Sequence, residues 1–285
     1  MLKSLSLSDR QERSLKRMAC ALREDVVRML ANAGSGHPAG SLGMADVIAT
    51  LYFHVLVHRP KQPNWKDRDR VFLSNGHIVP VLYAALARTG YFSPSLLKTL
   101  RVFGSRLQGH PEYGTLPGIE HTSGPLGSAS SQAVGAAYAA HMDQASWRVY
   151  GLMSDGELQE GQTWEAFLFA SKYRLSNCTF ILDRNHIQID GNTEDVMPLE
   201  PLQDKFASFG LSVIHCDGHD IRQIVHALSH VQHTTEKPTM IIADTIPGRG
   251  VDFMEGDFHW HGKVPKPGSE TTKAIKQLHS FCKDI

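Results

Sequence analysis

The sequence predicts a three-layer α/β fold, a mostly parallel sheet with helices on both faces, and three observations carry that expectation. Short apolar runs at 70–73, 148–153, 179–182, 211–215 and 239–243 read as strands buried on both sides, because a strand covered by helices on each face loses polar alternation. Segments with apolar residues at helical spacing precede or separate them, at 8–31, 43–57, 126–142, 161–173 and 221–231. No internal repeat, low-complexity tract or long linker breaks the alternation, so residues 1–285 are expected to form one domain.

Each element has its own signal. In the first helix Leu15, Met18, Ala19, Leu22, Val26 and Leu30 recur on one face until Gly34 stops the pattern. The second is expected to end ahead of Pro60 and Pro63, which break regularity. The segment 123–140 is dense in small residues, among them Gly124, Gly127, Ala129, Gly135 and Ala137, and two readings of it stay open. One is a helix whose small side chains let its neighbours pack closely. The other is a turn, Gly124-Pro125-Leu126-Gly127, that brings backbone N–H groups and a helix N-terminus against a phosphate. A nicotinamide enzyme would use a similar sheet, but no G-x-G-x-x-G turn follows the early strands.

Charge narrows the partners. With 29 Lys and Arg against 29 Asp and Glu, the chain has no field to hold nucleic acid or an anionic membrane. Small molecules or other proteins are the expected partners. Residues 1–11 contain no apolar export core, and no stretch approaches 18 uninterrupted apolar residues, so a cytoplasmic protein is expected. Cys20, Cys178, Cys216 and Cys282 lie far apart without C-x-x-C spacing, which argues against a zinc site and against a disulfide framework. Histidine stands out with 16 copies, and His37, His77, His110 and His261 each adjoin a glycine, in turns where backbone and imidazole can both approach a ligand.

The densest chemistry lies at two consecutive strand ends. Ser154-Asp155-Gly156-Glu157 follows the run at 148–153, and Asp183-Arg184-Asn185-His186-Ile187 follows the run at 179–182. A carboxylate at one strand end and an amide at the next aim hard oxygens at one point, which suits Mg²⁺ with phosphate oxygens and water completing an octahedron. Gly156 allows the sharp turn that this placement needs.

An acid-Gly pair followed about 30 residues later by Asn resembles the thiamine-diphosphate motif, and Asp-Gly-Glu-Leu-Gln-Glu-Gly at 155–161 resembles its transketolase version. Gly36-His37-Pro38, Ser74-Asn75-Gly76-His77, Gly109-His110-Pro111-Glu112, Thr122-Ser123-Gly124-Pro125-Leu126-Gly127 and His261-Gly262 look like further transketolase signatures in the family's order. The sequence departs at Ser154, where the family usually has Gly. The resemblance implies the diphosphate-binding domain of the thiamine-diphosphate fold. It also implies that Asp155, Asn185 and the Ile187 carbonyl bind Mg²⁺, or Ca²⁺ or Mn²⁺ in its place, with Gly124, Leu126, Gly156 and Glu157 around the cofactor. His77 and His261 are then expected near the diphosphate and substrate, and His37 and His110 facing sugar hydroxyls. Glu160 is a candidate for a proton relay, with Glu165 beside it, although carboxylates at a helix N-terminus are also favoured by its dipole.

The resemblance covers roughly the first two-fifths of a full transketolase, and Phe253-Met254-Glu255 with Trp260-His261-Gly262-Lys263 resembles split forms. It implies a separately encoded C-terminal subunit supplying the pyrimidine and third domains, in an α₂β₂-type assembly acting on sugars or sugar phosphates. The alternatives are another thiamine-diphosphate enzyme, such as a deoxyxylulose-phosphate-synthase-like or specialised ketolase subunit, and a subunit that binds the cofactor without turnover.

Overall fold

The computed structural model describes residues 6–233, 236–283 and 285, so positions 1–5, 234, 235 and 284 of the domain expected over 1–285 lie outside the described residues. Helix α1 (Asp9–Ala33) begins where Gln11 N–H donates to Ser8 Oγ at 3.3 Å and Ser8 N–H to Gln11 Oε1 at 2.9 Å. It ends at Gly34, whose left-handed φ of 66° brings its N–H to Leu30 O at 3.0 Å.

The helix expected over 43–57 is instead two pieces, α2 (Pro38–Gly43) and α3 (Ala45–Thr50), continued by a wide turn over Leu51–Val55. Arg23 of α1, only 1% exposed, explains how the break at Met44 is held. Its Nε donates to Leu42 O at 3.1 Å, and its terminal nitrogens reach the Asp46 carboxylate at 3.3 and 2.5 Å. One buried guanidinium therefore satisfies a terminal carbonyl of α2 and a charge in the first turn of α3.

Then follow β1 (Arg70–Leu73), α4 (Val79–Thr89), α5 (Ser128–Met142), β2 (Val149–Ser154), α6 (Gly161–Lys172) and β3 (Cys178–Arg184). A short hairpin of β4 (Ile187–Gln188) and β5 (Gly191–Asn192) leads to α7 (Thr193–Val196), α8 (Leu202–Ser208), β6 (Ser212–Asp217), α9 (Ile221–His233), β7 (Thr239–Asp244) and α10 (Ser269–Phe281). All five strands expected from sequence are present, each within two residues of its expected start. Helix α4 has no counterpart among the expected segments: every residue from Val79 to Ala87 is buried, so the polar face that reveals a surface helix is missing.

The five long strands form one parallel sheet in the order β1-β2-β3-β7-β6. Alternate residues feed two cores. Tyr150, Leu152, Ile181, Ile241 and Ala243 point toward α1, α3, α4 and α9, while Val149, Met153, Phe180, Leu182, Met240 and Ile242 point toward α5, α6 and α8. The small residues of α5 serve this packing, since a Cβ on Gly151 of β2 would stand 3.1 Å from Phe180 Cδ1 and 3.6 Å from Ala133 Cβ.

One expectation is corrected. Cys20 in α1 and Cys282, just beyond α10, are joined by a disulfide with their Cα atoms 6.2 Å apart. Helix α10 packs back on α1 and brings together residues 262 positions apart, a proximity that spacing along the chain does not report. Cys178 and Cys216 are free and buried.

Replacing Arg23 by Leu strands the Asp46 carboxylate, 7% exposed, without its guanidinium. Breaking a buried pair from one side is expected to lower unfolding stability by about 3–5 kcal/mol. A urea transition shifted by less than about 1 kcal/mol would show that the pair is not what holds the α2–α3 junction.

Candidate active site

Because β1, β2 and β3 run parallel in register, with Leu73 beside Leu152 and Ser154 beside Asp183, the segments that leave them emerge at one edge of the sheet. Asp155 opens a tight turn over Asp155–Gln159 and is completely buried. Its Oδ1 accepts from Gly156 N–H at 2.8 Å, and its Oδ2 accepts from His186 N–H at 2.7 Å and from Arg184 Nη1 at 3.0 Å. Burial pushes the carboxyl up to about 6, held from rising further by the Arg184 charge.

Asn185, also buried, accepts from Ile187 N–H through Oδ1 at 3.0 Å and donates through Nδ2 to Asp183 Oδ2 at 2.8 Å. Asp183 in turn accepts from the Thr245 hydroxyl and is pushed up to about 7 by burial. The local backbone explains the crowding of oxygens here. His186 adopts a left-handed φ of 62°, which folds the chain back so that its own N–H faces Asp155. Asp155 thus accepts from His186, the residue between Asn185 and Ile187.

Sequence reasoning does not single out Arg184. It is 2% exposed and, besides Asp155, donates to Thr193 Oγ1 at 3.0 Å and to Glu194 and Glu200 at 2.9 Å each. The readable signal is two consecutive charged residues, Asp183 and Arg184, at the end of a strand buried on both faces. Successive side chains on a strand point to opposite faces, so each needs its own buried partner.

Glu157, fully buried, braces three segments at once. Its Oε1 accepts from Gly127 N–H and the Ser74 hydroxyl, and its Oε2 from Ser154 N–H at 3.3 Å. Burial raises its pKa to about 7 against those bonds. Gly127 has φ 79° at the N-terminus of α5, and Leu126 O accepts from Gln162 Nε2 at 2.6 Å. The turn at Gly124, Leu126 and Gly127 is thus fastened to the strand end that carries Asp155.

Three of the four singled-out imidazoles meet. Ring centroids are 5.1 Å apart for His37 and His77, 5.6 Å for His37 and His261, and 5.0 Å for His77 and His261. His110 lies outside this ring contact, exposed, with the Gly124 Cα side facing its ring. Burial lowers all four. For His37 and His77 the neighbouring imidazoles add to it, so that His37 comes down to about 4 and His77 falls well below its usual value. At neutral pH the cluster is uncharged, with ring nitrogens that donate or accept by tautomer. Glu160, at the N-cap of α6, and Glu165, in its second turn, are exposed.

Glu157→Ala removes the acceptor shared by Gly127, Ser74 and Ser154. A loss of about 1–3 kcal/mol is expected for each buried donor left unpaired, read as a lowered melting temperature with the secondary structure retained. An unchanged melting temperature would mean that the turn stands without this brace.

Comparison with known proteins fits this geometry. The family described as transketolase, thiamine diphosphate binding domain, matches residues 14–282. A 6-deoxy-6-sulfo-D-fructose transketolase subunit of Clostridium sp. (strain MSTE9) is 42% identical over 251 residues, 88% of this chain and 91% of that protein. An apulose-4-phosphate transketolase subunit of Phocaeicola vulgatus is 40% identical, covering 90% of each. Human transketolase is 36% identical across 98% of this chain, which spans 44% of that protein. A crystal structure of transketolase from Campylobacter jejuni superposes with a TM-score of 0.87 at 35% identity, over 94% of this chain and 42% of that one. The chain belongs to the transketolase family of thiamine-diphosphate-dependent transferases, matching its N-terminal subunits.

Proposed function

We propose that the chain forms the diphosphate side of a transketolase active site and moves a two-carbon ketol unit from a ketose or ketose phosphate to an aldose or aldose phosphate. The observation that carries this is the cluster of His37, His77 and His261, with ring centroids 5.0–5.6 Å apart, in the same domain as the buried Asp155 and Asn185. A domain that only stored the cofactor would have no use for imidazoles directed at a polyol.

The residues present fit the cofactor and its metal. Among the described residues Asp155 Oδ1 is bonded only by the adjacent Gly156 N–H, and Asn185 Oδ1 only by Ile187 N–H, so each oxygen keeps an acceptor position. Among the described residues no three His, Cys, Asp or Glu side chains could hold a metal by themselves. A cation here would take its remaining ligands from phosphate and water, as Mg²⁺ commonly does, with Ca²⁺ or Mn²⁺ as substitutes. We assign Asp155, Asn185 and the Ile187 carbonyl to that cation, and the backbone at Gly124, Leu126 and Gly156 to the cofactor. Glu157 serves the cofactor by holding Gly127 and Ser74. Thiamine diphosphate, when bound, supplies the carbon nucleophile and electron sink for cleaving the ketose C2–C3 bond.

The chain's own part is proton handling. His37 and His110 are assigned to the sugar, where a neutral ring accepts a hydroxyl proton or donates to a carbonyl oxygen, and His77 and His261 to the boundary between diphosphate and substrate. Glu160, with Glu165, is assigned to a relay reaching a second protomer. We assign the pyrimidine side of the cofactor to a separately encoded C-terminal subunit in an α₂β₂ assembly. Relatives matched over about nine-tenths of their length being named as subunits supports this. The whole chain is then one diphosphate-binding domain. No helix of the described residues is long and apolar enough to cross a membrane. The cytoplasm, where charged sugar phosphates are retained, is the proposed location.

Three outcomes test the reading. Asp155→Ala should abolish Mg²⁺-dependent binding of thiamine diphosphate while leaving the fold, and calorimetry showing wild-type affinity would remove the metal assignment. The purified chain should show no ketol transfer until its partner is added; robust turnover alone would refute the split site. His37→Ala and His110→Ala should lower kcat in the complex by about 10²–10⁴-fold with cofactor Kd near wild type, whereas His77→Ala and His261→Ala should impair both. Near-normal kcat and kcat/KM in the first two would leave those histidines without a catalytic role.

A further inference from the structure

Arg101 stands between the two loops that carry His37 and His110. Its guanidinium lies on Gly109: a Cβ there would be 2.9 Å from Nε, 2.9 Å from Nη2 and 3.0 Å from Cζ. On the other side it faces Gly36, where a Cβ would be 3.8 Å from both Cζ and Nε. The glycine that precedes each histidine is thus also the surface on which this side chain rests. Its backbone is held in a left-handed φ of 60°, with its N–H donating to Leu107 O at 2.9 Å. Strain of that kind in a non-glycine residue persists where surroundings over-determine it.

The charge has no acid to answer it. Nη1 donates to Ser35 Oγ at 3.2 Å, and no carboxylate forms an ion pair with Arg101 among the described residues. Partial burial alone lowers its pKa, with no neighbouring anion to raise it. A half-buried, unpaired guanidinium is unfavourable for stability, so its position calls for another reason.

We propose that Arg101 is a positioning residue for the substrate end of the site, fixing the spacing of the Gly36-His37 and Gly109-His110 loops and holding a positive charge between them. The inference rests on the assignment of His37 and His110 to the sugar. Among the described residues the groups facing His37 are His77, His261, His110 and Arg101; those facing His110 are Arg101 and Tyr83, whose hydroxyl donates to the His110 carbonyl at 3.3 Å, and no carboxylate acts on either ring. The cation therefore opposes protonation of both rings and keeps them available as proton acceptors, in the state that burial already favours.

The test reads the imidazoles directly, in the full-length chain without partner or cofactor, by following their Cε1–H resonances against pH. Arg101→Gln should shift the titration of His37 and His110 upward while leaving His121, whose burial and bond to Leu73 O do not involve Arg101, where it was. Arg101→Lys, which keeps the charge but not the planar group, should restore much of the depression. Gly109→Ala should displace the guanidinium, move the same two histidines the same way, and add little to Arg101→Gln in the double variant. In the assembled enzyme the acid limb of kcat/KM should move to higher pH with cofactor Kd unchanged. If His37 and His110 titrate as in wild type in a folded Arg101→Gln or Gly109→Ala chain, the proposal is overturned. That result stands apart from any failure of ketol transfer, which would bear on the functional assignment instead.

Discussion

The parallel register of the central strands is the constraint on which the site depends. Pairing Leu73 with Leu152 and Ser154 with Asp183 sets the ends of β1, β2 and β3 side by side. The turns after them then have one place to go. Asp155 and Asn185 converge there, Glu157 reaches across to Ser74 and Gly127, and His77 enters from the end of β1. A shift of one residue in that register would turn every side chain of a strand to the opposite core and disperse these groups. The two apolar clusters on either face of the sheet are what make such a shift unfavourable.

The site also keeps opposite requirements close together. On one side are carboxyls held in the interior: Asp155, Glu157 and Asp183 are all pushed up by burial, and each is answered by donors supplied by the chain, Arg184 foremost. On the other side are imidazoles pushed down by the same physical cause. Low dielectric disfavours charge of either sign, so it raises acids and lowers bases. The result suits a cofactor that arrives with negative charge and a metal, and a sugar that arrives with hydroxyls. Acceptor oxygens are gathered at the strand ends and neutral hydrogen-bonding rings beside them.

Away from the chemistry, buried charge serves the scaffold. Arg23 and Asp46 hold the junction of α2 and α3, with His219 adding a bond to Asp46 at 2.9 Å and accepting Ile246 N–H at 2.8 Å through its other nitrogen. Through that ring the helical layer bearing His37 at its edge is connected to the segment after β7, which also supplies Thr245 to Asp183. The same layer is fastened at its outer side by the Cys20–Cys282 bridge between α1 and the end of α10.

Much of this was legible locally. The five strands announced themselves as apolar runs, Ser8 and Gly34 marked the ends of α1, and the Asp155-Gly156 to Asn185 spacing with the glycine-flanked histidines pointed to the cofactor family. The strand and helix signals arise from periodicity and turn chemistry, which neighbouring residues decide among themselves, and the pointer to the cofactor family arises from the resemblance of its motifs. Tertiary structure alone decided the partners. It gave Asp155 to Arg184, turned Glu157 into a brace, brought His37, His77 and His261 into contact while leaving His110 outside, and set Arg101 between two of the loops. It also joined Cys20 to Cys282 and hid α4 by burying every residue from Val79 to Ala87. Those outcomes depend on how elements distant in the chain cross and pack, and spacing along a sequence carries no record of which distant groups will share a buried volume.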